Sequence, residues 1–187
     1  MTTQLPRPII ELYCFNSGVD MTNYEFTLRY QKLGPTLPDN DVDDALFEAG
    51  CDDALITRCS SGILEINFDR SAKSAVEALE SALQCADDVL SNHRLIEVKP
   101  DYVGVTDIAE HYGVTRQYIQ KIIGNNTLNV APITVIGKTS VYRLTDVFRA
   151  IEGQSILGGS VSLEKQALVN LTRLINDKCR NPCSNEN

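Results

Sequence analysis

The sequence has no tryptophan, only two histidines and two methionines, and no long apolar run. Without a stretch of about 18 apolar residues it offers no transmembrane helix, and the opening MTTQLPRPII has neither the basic flank nor the apolar segment of a secretory signal. A cytoplasmic protein with no membrane partner is expected. CxxC pairs are missing too. The six cysteines, Cys14, Cys51, Cys59, Cys85, Cys179 and Cys183, are scattered, which in a reducing compartment reads as small buried residues plus a tail pair. Cys179 and Cys183 lack the two further ligands that a tetrahedral zinc site needs, so no metal and no cofactor is expected. No phosphate-binding glycine loop or nucleophile elbow is visible, and neither His93 nor His111 has a cysteine or serine at a suggestive spacing. The pattern is not that of an enzyme. His111, beside Glu110, is expected to face solvent.

What is there is an ordinary globular composition, 43% hydrophobic and 22% charged in 187 residues, with a net charge of −8. That acidity argues against nucleic acid until its distribution is read. Residues 1–98 hold 7 basic against 17 acidic residues, 99–150 hold 6 against 4, and 151–187 hold 4 of each. A mildly basic module therefore follows an acidic one. The run Asp39-Asn40-Asp41-Val42-Asp43-Asp44 opens like a calcium loop. Asp44 stands where that loop needs glycine and Gly50 where it needs glutamate, so the run reads as an acidic helix start.

The acidic half alternates strand and helix patterns. Phe26 to Leu33 alternates as a half-buried strand; Asp39 is the expected N-cap of a helix carrying Val42, Ala45, Leu46 and Ala49, which Gly50 stops. Ala54 to Cys59 and Ile63 to Phe68 form a hairpin around Ser60-Ser61-Gly62. A longer helix is expected from Ser71 to Leu90, then a strand from Arg94 to Lys99. The order β-α-β-β-α-β predicts a ferredoxin-like α+β domain over residues 26–100. Before it, 1–25 form an extension with a candidate strand at Ile9 to Phe15. Pro100 and Asp101 mark a boundary, and 101–152 make the second module. Residues 153–187 comprise a Gly/Ser-rich link, an amphipathic helix from Leu163 to Lys178 capped by Ser162, and a tail.

The informative stretch is VTDIAEHYGVTRQYIQKII, residues 105–123. Thr106 is expected to cap a short helix with Ile108, Ala109 and Tyr112 inward. Gly113 permits a tight turn, Val114 plugs the corner, and Thr115 caps a second helix with Ile119 and Ile122 buried. The outer face then carries Arg116, Gln117, Tyr118, Gln120 and Lys121, residue types that read base edges and hold phosphates. Ile133 to Leu144 predicts a hairpin wing tipped by Gly137-Lys138-Thr139-Ser140, with Lys138, Thr139 and Arg143 toward the duplex, before Thr145 caps a helix with Val147, Phe148 and Ile151 inward.

Over residues 103–151 this order resembles the winged helix-turn-helix proteins of the excisionase and mercury-resistance regulator type. The resemblance implies double-stranded DNA as partner, with the helix opened by Thr115 docked in the major groove. Two roles fit. One is a sequence-specific regulator working as a homodimer, because a single helix-turn-helix reads few base pairs. The other is an adaptor or antitoxin-like protein whose acidic half binds a protein partner. The last helix is a candidate interface for either.

Overall fold

The computed structural model describes residues 21–35, 38–154 and 161–180. The strand expected at Ile9 to Phe15, the centre of the Gly/Ser link and the tail lie outside them. The chain is α+β, with six α-helices and antiparallel sheets among the described residues. It divides into two compact units, residues 1–98 with 174–187, and residues 99–173.

In the first unit, β1 (Thr22–Lys32) buries Tyr24, Phe26, Leu28 and Tyr30 at the two-residue period of a strand. Its neighbour β3 (Ile63–Ala72) runs antiparallel in the register Phe26↔Phe68 and Leu28↔Ile66, so Leu64, Ile66 and Phe68 join the same face. β2 (Ala54–Cys59) pairs with β3, and with β4 (His93–Lys99) the order is β2-β3-β1-β4. The apolar face is covered by helices α1 (Asp39–Glu48) and α2 (Ala75–Val89). α2 lies on β1 and β3 and alongside α1, and its Ala75, Ala78, Ala82 and Ala86 are small enough to allow close approach. Fully burying a side chain such as Leu28 or Ile66 stabilises by about 1.5–3 kcal/mol.

Two helix starts differ from expectation. Asp39 is the first helical residue rather than the cap, and Pro38 precedes it without a side-chain cap bond. The helix expected from Ser71 begins at Ala75, because the β1–β3 ladder runs on to Thr22↔Ala72 and claims Ser71 for the strand. Ser74 takes the cap, its Oγ accepting the Glu77 N–H at 3.2 Å.

The second unit holds a three-stranded sheet, β5 (Tyr102–Val103), β7 (Thr139–Arg143) and β6 (Thr134–Ile136), in the order β5-β7-β6. Around it stand α3 (Val105–His111), α4 (Arg116–Gly124) and α5 (Leu144–Gln154), with the first part of α6 (Leu163–Arg180). Ile108, Ile119, Leu128, Leu144, Val147, Phe148, Ile151 and Val169 form one buried cluster. Thr145 does not cap α5. It lies inside the first turn, 3% exposed, where its hydroxyl accepts from Arg173 at 2.8 Å. Ser162 does cap α6, accepting the Lys165 N–H at 3.3 Å. Within the apolar stripe of α6, Leu168, Leu171 and Ile175 are buried within the chain, whereas Leu163 at its start is 75% exposed. No described helix is long and apolar enough to cross a membrane.

Candidate nucleic-acid interface

α3 starts two residues earlier than a Thr106 cap requires. Ile108 N–H donates to Gly104 O at 3.1 Å, and Asp107 reaches back to accept the Gly104 N–H at 2.7 Å. Thr106 is therefore an exposed first-turn residue, not the cap. The turn after α3 closes through Val114 N–H to Ala109 O at 2.9 Å, with Gly113 at φ 63. Nothing lies within 4 Å of a Cβ built at Gly113, so backbone conformation alone demands glycine there. Val114 packs against the core cluster, and Thr115 caps α4 by accepting the Tyr118 N–H at 3.2 Å.

Ile119 and Ile122, 0% and 5% exposed, fix the rotation of α4 about its axis. At about 100° per residue, that rotation leaves Arg116, Gln117, Gln120 and Lys121 together on the outer face, all exposed. Tyr118, 38% exposed, falls on the flank between the outer face and the buried stripe.

The hairpin expected as a wing, β6 with β7, has the register Thr134↔Val141, Val135↔Ser140 and Ile136↔Thr139. Its turn is narrower than expected, two residues, Gly137 at φ 64 and Lys138. Positive φ at the first central position only is the signature of a II′ turn, which glycine accommodates. Lys138 and Thr139 are exposed at this tip. β6 carries exposed apolar residues, Val135 at 57% and Ile136 at 69%.

Arg143 is placed differently from expectation. Its guanidinium donates to Asp101 Oδ2 at 3.1 Å and lies 4.8 Å from the Tyr102 ring centre, with a side chain only 12% exposed. Asp101 is fully buried. A buried carboxylate needs a charged, hydrogen-bonding partner, so Arg143 holds β5 to β7 instead of reaching outward. His111 is also not solvent-facing. Its ring is 5.0 Å from Phe148 and 5.1 Å from Tyr112, and burial, then the positive charge of Lys165, push its pKa down to about 4.

The sequence carries a further signal for this face: between Glu110 and Asp146 there is no carboxylate, although the chain has 25 acidic residues. That stretch contains all of α4 and of the β6–β7 hairpin. Among the described residues no group of three or more His, Cys, Asp or Glu is placed to hold a metal. The acidic run expected as a helix start forms the opening of α1, where Arg58 binds Asp43 at 2.6 and 3.0 Å.

No protein family, curated protein or solved structure matches the chain. What the site can do follows from its geometry. A cation, two carboxamides and a second cation project from one rigid helix face, a donor set suited to a surface of acceptors.

Proposed function

We propose that the chain is a double-stranded-DNA-binding protein, a sequence-specific transcriptional regulator rather than an enzyme, that works as a homodimer with α4 in the major groove. The first unit reads as ferredoxin-like, from its β-α-β-β-α-β order and β2-β3-β1-β4 sheet, and the second as a winged helix-turn-helix. The observation that carries the reading is the outer face of α4: Arg116, Gln117, Gln120 and Lys121, exposed and side by side in a stretch free of carboxylates. Arginine pairs bidentately with guanine O6 and N7, and glutamine with adenine N6 and N7, while Thr115 and Lys121 suit phosphates. Two copies on a symmetric site supply the specificity that one helix lacks. Such a protein resides in the cytoplasm with its DNA.

The test selects genomic fragments by binding at physiological salt, then repeats the mobility shift with Arg116→Ala and Gln120→Ala combined. Both side chains are exposed, so the unfolding midpoint stays close to that of the parent while the discrete band disappears. A band of unchanged affinity and sequence preference rejects the groove assignment. A second reading, an adaptor whose acidic unit docks on a basic protein, is favoured by the charge division. Residues 1–98 keep a large acidic surplus, and Arg29, Arg58 and Arg70 are already bound to Glu65, Asp43 and Asp53.

A further inference from the structure

The turn that follows α1, in the first unit, brings two thiols together. Gly50 takes φ 98, and this bend lets the Cys51 N–H reach back to Leu46 O at 2.9 Å. Cys51 is 3% exposed. Cys85 of α2 faces the same turn: a Cβ built at Gly50, the residue next to Cys51, would stand 3.4 Å from Cys85 Sγ. Arg70 completes the group. Its guanidinium donates to Gly50 O at 2.6 Å, to Asp53 at 2.7 and 2.8 Å, and to Ser81 Oγ, one helical turn before Cys85, at 3.0 Å. Both thiols are free; Cys85 is partly exposed.

We propose that Cys51 and Cys85 are a peroxide-oxidisable dithiol, with Cys85 the attacking and Cys51 the resolving thiol. Cys85 has the solvent access that peroxide needs, whereas Cys51 is buried. The Cys85 thiolate attacks one oxygen of hydrogen peroxide, the O–O bond breaks, and the hydroxide released takes up the thiol's proton to become water. Cys85 is now a sulfenic acid. Cys51 sulfur attacks it, the S–S bond forms, and the remaining oxygen leaves with the Cys51 proton as a second water. Two thiols and one peroxide thus give one disulfide and two waters. Burial pushes the Cys51 thiol up to about 11, so it waits protonated until its neighbour has been oxidised.

The full chain is treated with one equivalent of hydrogen peroxide, alkylated, digested without reductant and mapped by mass spectrometry. The expected product is a linked Cys51–Cys85 peptide lighter by two hydrogens, with two thiols lost per chain and both recovered by dithiothreitol. In Cys51→Ser, dimedone labels Cys85. The wild-type map decides the matter even if that variant fails to fold. Three outcomes overturn the proposal: Cys85 oxidised while Cys51 remains alkylatable, links formed mainly to Cys14, Cys59, Cys179 or Cys183, or no thiol loss. Dimedone on Cys51 in Cys85→Ser, with no label on Cys85 in Cys51→Ser, overturns the order of attack.

Discussion

His111 is kept neutral by the aromatic rings around it and by Lys165 on α6, which together push its pKa down to about 4. An unfolded chain carries its histidines near 6.5. Between about pH 4 and 6.5 the unfolded state therefore binds a proton that the folded state refuses, and stability falls as pH drops through that window. The urea midpoint is expected to fall between pH 7 and pH 5, and His111→Gln to reduce that fall. His93, whose pKa burial and Lys32 also lower, remains in both proteins and drops out of the difference. An identical pH dependence in the variant removes His111 burial as the cause. Arg143 shows why single residues mislead in a sequence: its partner Asp101 lies 42 positions away, and only the β5–β7 pairing Tyr102↔Arg143 brings the two together. Exposed Lys138 and locked Arg143 look alike until that pairing is known.

Among the elements, β4 ends the strand order of its sheet and so leaves backbone groups on its outer edge. Asn176 of α6 takes the place of a neighbouring strand there. Its Oδ1 accepts the Val98 N–H at 2.7 Å and its Nδ2 donates to Val98 O at 2.8 Å. Asn176 is 1% exposed, so water does not stand in for it easily. Asn176→Leu keeps the bulk and strands both backbone groups, which is expected to cost about 3 kcal/mol, read as a lower denaturation midpoint at unchanged m-value. A loss below about 0.5 kcal/mol, the usual range for a plain surface change, shows that the edge does not depend on this amide. The same elements show what periodicity carries. Alternation at Phe26, Leu28 and Tyr30 marked β1, though not its start at Thr22, and the three-to-four spacing of Leu79, Leu83 and Ala86 marked α2, because one face of each meets a core. Caps were legible at Thr115 and Ser162 but not at Asp39, Thr106 or Thr145. Small polar residues are favourable through a helix's first turn as well as at its cap, so their presence leaves the start open by a residue or two. β5, two residues long, has no periodicity to read; pairing with β7 makes it a strand. The stripe of α6 was legible, but whether its own chain covered it was a question of tertiary structure.

On the proposed reading, charge at the scale of the whole chain limits how DNA would be held. With 17 acidic residues in 1–98 against 7 basic, attraction to phosphate must come from a few cations elsewhere. In the carboxylate-free stretch these are Arg116, Lys121 and Lys138, since Arg143 is spent on Asp101. Each phosphate neutralised contributes about −0.9 to the slope of log affinity against log salt, so three cations predict a slope of about −3 for one copy and about −5 for two. The division of labour on the surface separates them further. Lys138 at the wing tip faces no base in this reading, so Lys138→Ala is expected to weaken all fragments alike and make the slope shallower by about one per copy. Arg116→Ala also loses sequence preference, because its guanidinium is assigned to a base edge. Anisotropy titrations of the full chain between about 50 and 200 mM salt read both quantities, and sedimentation of the complex counts the copies. A slope near zero in the wild-type protein means that α4 meets no polyanion; its exposed face is then a surface for another protein, and the acidic half is no longer the natural place to look for one.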